Sequence, residues 1–155
     1  MKIQNLLILC FLFLITSCSQ NTVYSRFDTL DESHQWAQTN TKSYDFTIDD
    51  EAAHYNVLFK FSHVYGYPMT SVPLHFSFKN PDGKTEDFTF DLALKDLEGQ
   101  ELGDCVGDIC DLDSVVKENL KLSKGKYTVT VSHRYDGPYL PNVLGVGLEI
   151  TKSEP

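Results

Sequence analysis

The chain has 155 residues, with 22 Asp and Glu against 13 Lys and Arg, a formal net charge of −9, and 41% hydrophobic residues. That length suits one domain with a real core and does not call for a second. The acidic balance repels phosphate backbones and anionic head groups, which argues against nucleic acid as a partner and against membrane attachment through basic side chains.

The first segment reads as an export signal. Lys2 supplies a positive start, residues 6–15 form an unbroken apolar run, and Ile15-Thr16-Ser17-Cys18 gives an aliphatic residue, two small ones and a cysteine. This is the pattern of a signal peptide ending in a lipobox. The run is about half of what a spanning helix needs and polar Ser19 and Gln20 follow at once, so residues 1–17 are expected to be removed. The Cys18 thiol is the atom that would receive diacylglycerol, and several acyl chains on one residue anchor nearly irreversibly. Loss of Lys2 leaves 12 basic residues against 22 acidic ones. Apart from this acyl lipid no cofactor is expected.

Residues 18–41 are polar and without period apart from Val23, Tyr24, Phe27, Leu30 and Trp36, and read as a lipidated tether that begins to dock on a domain over 42–155. Beyond it the period of two takes over. Tyr44, Phe46 and Ile48 alternate with polar residues, as do Tyr55, Val57, Phe59 and Phe61, then Leu74, Phe76 and Phe78, then Phe88, Phe90, Leu92 and Leu94. Leu120 and Leu122, then Tyr127, Val129 and Val131, then Leu144, Val146, Leu148 and Ile150 continue the series, while residues 112–118 could form one short helix. Turn residues separate the runs: Gly66-Tyr67-Pro68, Asn80-Pro81-Asp82-Gly83, Lys124-Gly125-Lys126 and Asp136-Gly137-Pro138. About seven strands at this spacing predict an all-β fold, an antiparallel β-sandwich.

Cysteine use fits an exported chain. Cys10 leaves with the signal and Cys18 is lipidated, so Cys105 and Cys110 remain as the one pair. In an oxidising compartment they are expected to form a disulfide stabilising a short loop by about 2 kcal/mol, the alternative being two free thiols packed as small apolar groups.

Catalytic patterns are not found. The five histidines, at 34, 54, 63, 75 and 133, have no metal-ligand spacing. His63 and His133 continue apolar strand faces, and His75 is expected to face solvent. No serine lies in a Gly-x-Ser-x-Gly elbow. Asp104, Asp108, Asp111 and Asp113 crowd around the cysteine pair, but their spacing is not that of an EF-hand, and they read as a solvated acidic loop rather than a Ca²⁺ site. Metal: none expected.

Several short stretches carry a family resemblance: Tyr55-Asn56-Val57-Leu58-Phe59 leading into Tyr67-Pro68, Pro81-Asp82-Gly83-Lys84, Gly99 followed by Leu102-Gly103 and Gly107-Asp108-Ile109, and Val146-Gly147-Leu148. From about Val23 to Lys152 the chain resembles the gliding motility lipoproteins called GldH, found in Bacteroidetes. It departs in having Glu101 where that family often has tryptophan and Cys105 at a usual glycine. The resemblance implies a short, β-rich, lipobox-bearing protein of the surface gliding apparatus and its linked secretion system, and it supplies no catalytic residue.

The expected role is therefore a non-enzymatic module on a membrane, binding other envelope proteins of a motility or secretion complex. Its contact surface would be the aromatic loops bearing Tyr65, Tyr67, Tyr135 and Tyr139, since tyrosine offers area and a polar tip. The alternative is a carbohydrate-binding envelope sandwich with aromatics stacked on sugar rings. No aspartate follows Cys18 and no acidic run succeeds it, which points to the outer membrane with the domain facing the periplasm.

Overall fold

The computed structural model describes residues 21–153. Cys18 and the expected signal segment over 1–17 lie outside the described residues. The strands are β1 (Thr22–Thr29), β2 (Trp36–Ala37), β3 (Lys42–Ile48), β4 (His54–Val64), β5 (Ser71–Lys79), β6 (Thr85–Ala93), β7 (Asp104–Val106), β8 (Ile109–Lys121), β9 (Gly125–His133), β10 (Tyr139–Leu140) and β11 (Val143–Lys152). One sheet has the order β1-β11-β4-β8-β7 and the other β3-β9-β5-β6, while β2 and β10 form a two-stranded ribbon. All pairings are antiparallel.

Set aside the three short strands and the eight long ones follow the strand order of a jelly roll. That order decides where the loops go. Connections 30–41, 65–70, 94–103 and 134–142 meet at one end of the sandwich, here called the far end. Connections 49–53, 80–84 and 122–124 meet at the other, where Thr22 begins β1 opposite Thr151.

Alternation built the core as expected. Tyr55, Val57, Phe59, Phe61 and His63 of β4 all point inward and are buried, and they face Leu74, Phe76, Val129 and Val131 of the second sheet. Phe59 and Phe76 meet edge to face across the sheets at 5.6 Å. The Tyr44 hydroxyl donates to the Val146 carbonyl at 3.2 Å, tying β3 to β11 through the core.

Three expectations change. The stretch over 18–41 is not a tether throughout, because β1 pairs with β11 along its length and Trp36 is fully buried; among the described residues the sandwich already includes Thr22. The helix over 112–118 does not form. Those residues lie inside β8, whose period is broken by bulges against β4 and by Asn119 at φ +54°, with the Asn119 N–H donating to Asn56 Oδ1 at 2.9 Å. Finally, a bulge between Val143 and Gly145 turns Val143 inward in place of Leu144.

Candidate functional site

Six of the nine exposed large hydrophobic residues among those described stand at the far end: Tyr65, Leu97, Leu102, Val106, Ile109 and Tyr139. Their backbone is specified locally. β7 and β8 form a hairpin in which Val106 faces Ile109, and Ile109 faces Val64 of β4, so apolar side chains line up on one surface. Gly107, at φ +61°, takes the first turn position that a type II′ hairpin gives to glycine. One position back, Cys105 faces Cys110 and the two are joined by a disulfide, with Cα atoms 4.0 Å apart. Cys110 is fully buried and Cys105 is exposed, so the bridge ties the edge strand to the core.

The β4–β5 loop is fastened to this hairpin. Tyr65 N–H donates to the Asp108 carbonyl at 2.9 Å, and Gly66 N–H, at φ +73°, donates to Glu101 Oε1 at 3.1 Å. Lys95 Nζ donates to the Tyr67 carbonyl at 2.7 Å and lies 3.8 Å from Glu101. Glu101, unexpected at this place in the sequence, holds the loop through a backbone amide.

The four tyrosines singled out from the sequence divide. Tyr65 is 60% exposed and Tyr139 is 38% exposed, and Tyr135 is half-buried against the core. Tyr67 is 1% exposed and belongs to the core, edge to face with Phe61 at 5.9 Å and with His63 at 5.1 Å, so it offers no contact surface. Its proximity to Pro68 suggested an exposed turn, whereas the ring folds back under the loop. Burial raises the Tyr67 hydroxyl above its ordinary value.

A polar layer lies beneath. His63 Nε2, the Tyr67 hydroxyl, Glu101 Oε2 and His133 Nδ1 are buried side-chain atoms without a hydrogen-bond partner, and all four lie at the far end. His63 Nδ1 lies 2.9 Å from the Val64 carbonyl, and His133 Nε2 lies 3.0 Å from that of Trp36. Burial lowers the His133 ring against the opposing pull of that carbonyl. His75 is partly exposed at the surface, 3.9 Å from Asp87.

A second feature lies on the outer face of the five-stranded sheet. The Phe27 ring rests on Gly145 and Gly147, where an added Cβ would meet it at 2.4 Å and 3.0 Å, and its other side is open. Beside it is a groove of about 420 Å³ lined by Lys60, Asp111 and Asp113. Lys60 is held between Asp113 at 3.0 Å and Glu149 at 2.7 Å. Burial lowers Lys60 and raises Glu149, but the hydrogen bonds and charges around them outweigh this, from Glu149 and Asp113 on Lys60 and from Lys60, Ser25 and Thr22 on Glu149, leaving Lys60 raised and Glu149 lowered.

Among the described residues no group of three or more His, Cys, Asp or Glu is placed to hold a metal ion, and no helix is long and apolar enough to cross a membrane. Asp104 faces Asp111 across the hairpin, and the acidic side chains of this region lie at the surface.

The family model described as GldH lipoprotein matches residues 22–150, that is, from the first residue of β1 nearly to the end of β11. The chain belongs to the GldH lipoprotein family. It is therefore a membrane-anchored envelope lipoprotein of a family linked to gliding motility. No curated protein matches it. Among solved structures, a carbohydrate-binding module, TmCBM61, in complex with β-1,4-galactotriose is 10% identical, with a TM-score of 0.35 over 84% of this chain and 82% of that one. A structure of infectious bursal disease virus, Gx strain, is 10% identical with a TM-score of 0.32 over 84% and 33%. The tobacco streak virus coat protein dimer is 10% identical with a TM-score of 0.27 over 90% and 91%.

Proposed function

We propose that this GldH-family protein is a non-enzymatic component of the gliding and associated secretion machinery. It is held by acyl chains on Cys18 in the outer membrane, faces the periplasm, and acts by binding other envelope proteins. The family match over 22–150 carries this reading. The clustering of exposed apolar side chains at one end of the sandwich supports the binding role. Replacing cysteine removes the only nucleophile that accepts diacylglycerol. A Cys18→Ala variant is therefore expected in the soluble periplasmic fraction or as unprocessed precursor; if it sediments with outer membranes like the parent, the anchoring reading fails. Co-purification of a tagged parent from native membranes tests the binding role, which fails if no partner recurs.

A second reading, saccharide binding, is favoured by one observation. Phe27 offers an open ring face beside Lys60, Asp111 and Asp113, and sugar rings stack on aromatics while their hydroxyls bond to charged groups. A screen with envelope polysaccharides and a Phe27→Ala control tests it; no binding, or binding that survives the substitution, removes it.

A further inference from the structure

We propose that the far end of the sandwich docks a protein surface with an apolar centre and a rim of Lys and Arg, presented away from the membrane. This inference rests on the anchored, protein-binding role given above and names the chemistry of the partner. Its first support is position. Three residues stand between Cys18 and Thr22, and the four chain steps span at most roughly 14 Å, so the end where β1 starts stays near the lipid. β1 then runs about 27 Å toward the opposite end, carrying the far loops away from the leaflet. An apolar cluster held there cannot be a membrane-insertion patch for the same leaflet.

The second support is composition. Tyr65, Val106 and Ile109 lie on adjoining backbone, with Ile109 paired to Val64 and the Tyr65 N–H bonded to Asp108. Val106 is 84% exposed. A side chain so open on a hairpin fastened by the Cys105–Cys110 bridge contributes nothing to this fold's own core. It is already ordered, which lowers the entropy lost on binding.

The third is charge. The far-end segments 30–41, 65–70, 94–108 and 134–142 carry eight Asp and Glu against two basic residues, and setting aside Lys95 and the largely buried Glu101 that engage each other leaves seven acidic residues against Arg134. The anchored-end segments 49–53, 80–84 and 122–124 are less one-sided, with four Asp and Glu against two Lys, and Lys79, Lys121, Lys126 and Lys152 lie at or next to the strand ends beside them, Lys126 paired with Asp45 and Lys152 with Asp50. An apolar centre inside an acidic rim repels a second copy of itself and an anionic leaflet, and it steers toward a basic partner.

A photoreactive benzophenone side chain in place of Val106, with the same group in place of Lys124 as a control at the anchored end, tests the proposal on full-length protein in native membranes. The expected adduct forms from position 106 and not from 124, and joins a peptide in which Lys and Arg outnumber Asp and Glu. Its yield should fall at least about tenfold in an Asp104→Lys/Asp108→Lys background, and also on raising salt to about 1 M. Both aspartates are exposed, so the background leaves the fold intact. Adducts to a second copy, to lipid, to a neutral or acidic peptide, equal yields at the two positions, or no adduct would each overturn the proposal. Fractionation of the same samples separates the two claims: soluble protein that still forms the adduct overturns anchoring alone, and sedimenting protein without it overturns the docking surface alone.

Discussion

His133 closes β9 with its ring against Trp36, edge to face at 5.3 Å, and one nitrogen bonded to the Trp36 carbonyl. The folded protein holds this ring below its ordinary value, while the unfolded chain returns it to about 6.5. Between those two values the unfolded state binds more protons, so stability rises with pH there. The contribution is complete above about pH 6.5 and is lost as pH falls through the lowered folded value. Urea midpoints measured from pH 8 down to pH 5 should therefore decline more steeply in the parent than in His133→Gln; parallel curves would contradict this. Gly147 gives a second prediction. An added Cβ would stand 2.5 Å from the Arg26 carbonyl, which is backbone and cannot swing aside. Gly147→Ala should push β1 off β11 and cost about 1–3 kcal/mol in chemical denaturation.

Among the elements, the β7–β8 hairpin depends on a bridge between two directly paired residues. In Cys105→Ser/Cys110→Ser the sheet should persist by circular dichroism, unfolding should be eased by at most about 2 kcal/mol, and amide exchange should quicken at 104–111. Intact mass after alkylation, with and without reductant, checks the bridge itself. The elements legible in the sequence were those buried on one face: β3, β4, β5 and β9 repeat apolar residues at every second position, and the structure buries those residues. β1 was not legible, because an edge strand needs little burial and Val23 and Phe27 are exposed. In β8 two bulges disturb the alternation, and what remained around residues 112–118 resembled a turn or two of helix. The proposed docking surface was half legible. Tyr65 and Tyr139 stand out beside turn residues, but Val106 and Ile109, flanked by Cys, Gly and Asp, carry no period and show themselves only once the hairpin is folded. Tyr67 has the same local chemistry as Tyr65, and only the tertiary fold separates the buried ring from the exposed one.

At the scale of the molecule, the jelly-roll order places β1 and β11, from opposite ends of the sequence, side by side. Pairings this distant must form before any sheet is complete, which slows folding and makes it cooperative. Removing 22–29 should therefore do more than shorten one edge. Gly145 and Gly147 would lose the Phe27 ring above them, and the truncated protein should lose a sharp unfolding transition by Trp36 fluorescence, whereas the parent's fluorescence and circular dichroism transitions should coincide.

The direction of β1 also bears on how the protein carries tension. With the acyl anchor on Cys18 and the docked partner as proposed above, the far loops lie at the other end of β1 from the lipid, so a pull between leaflet and partner would run along the ladder joining β1 to β11. Loaded in shear, the rungs of that ladder yield together instead of one after another, as they would in a peeling hairpin. A small domain strung this way would resist detachment under load in the proposed machinery without needing an unusually large equilibrium stability.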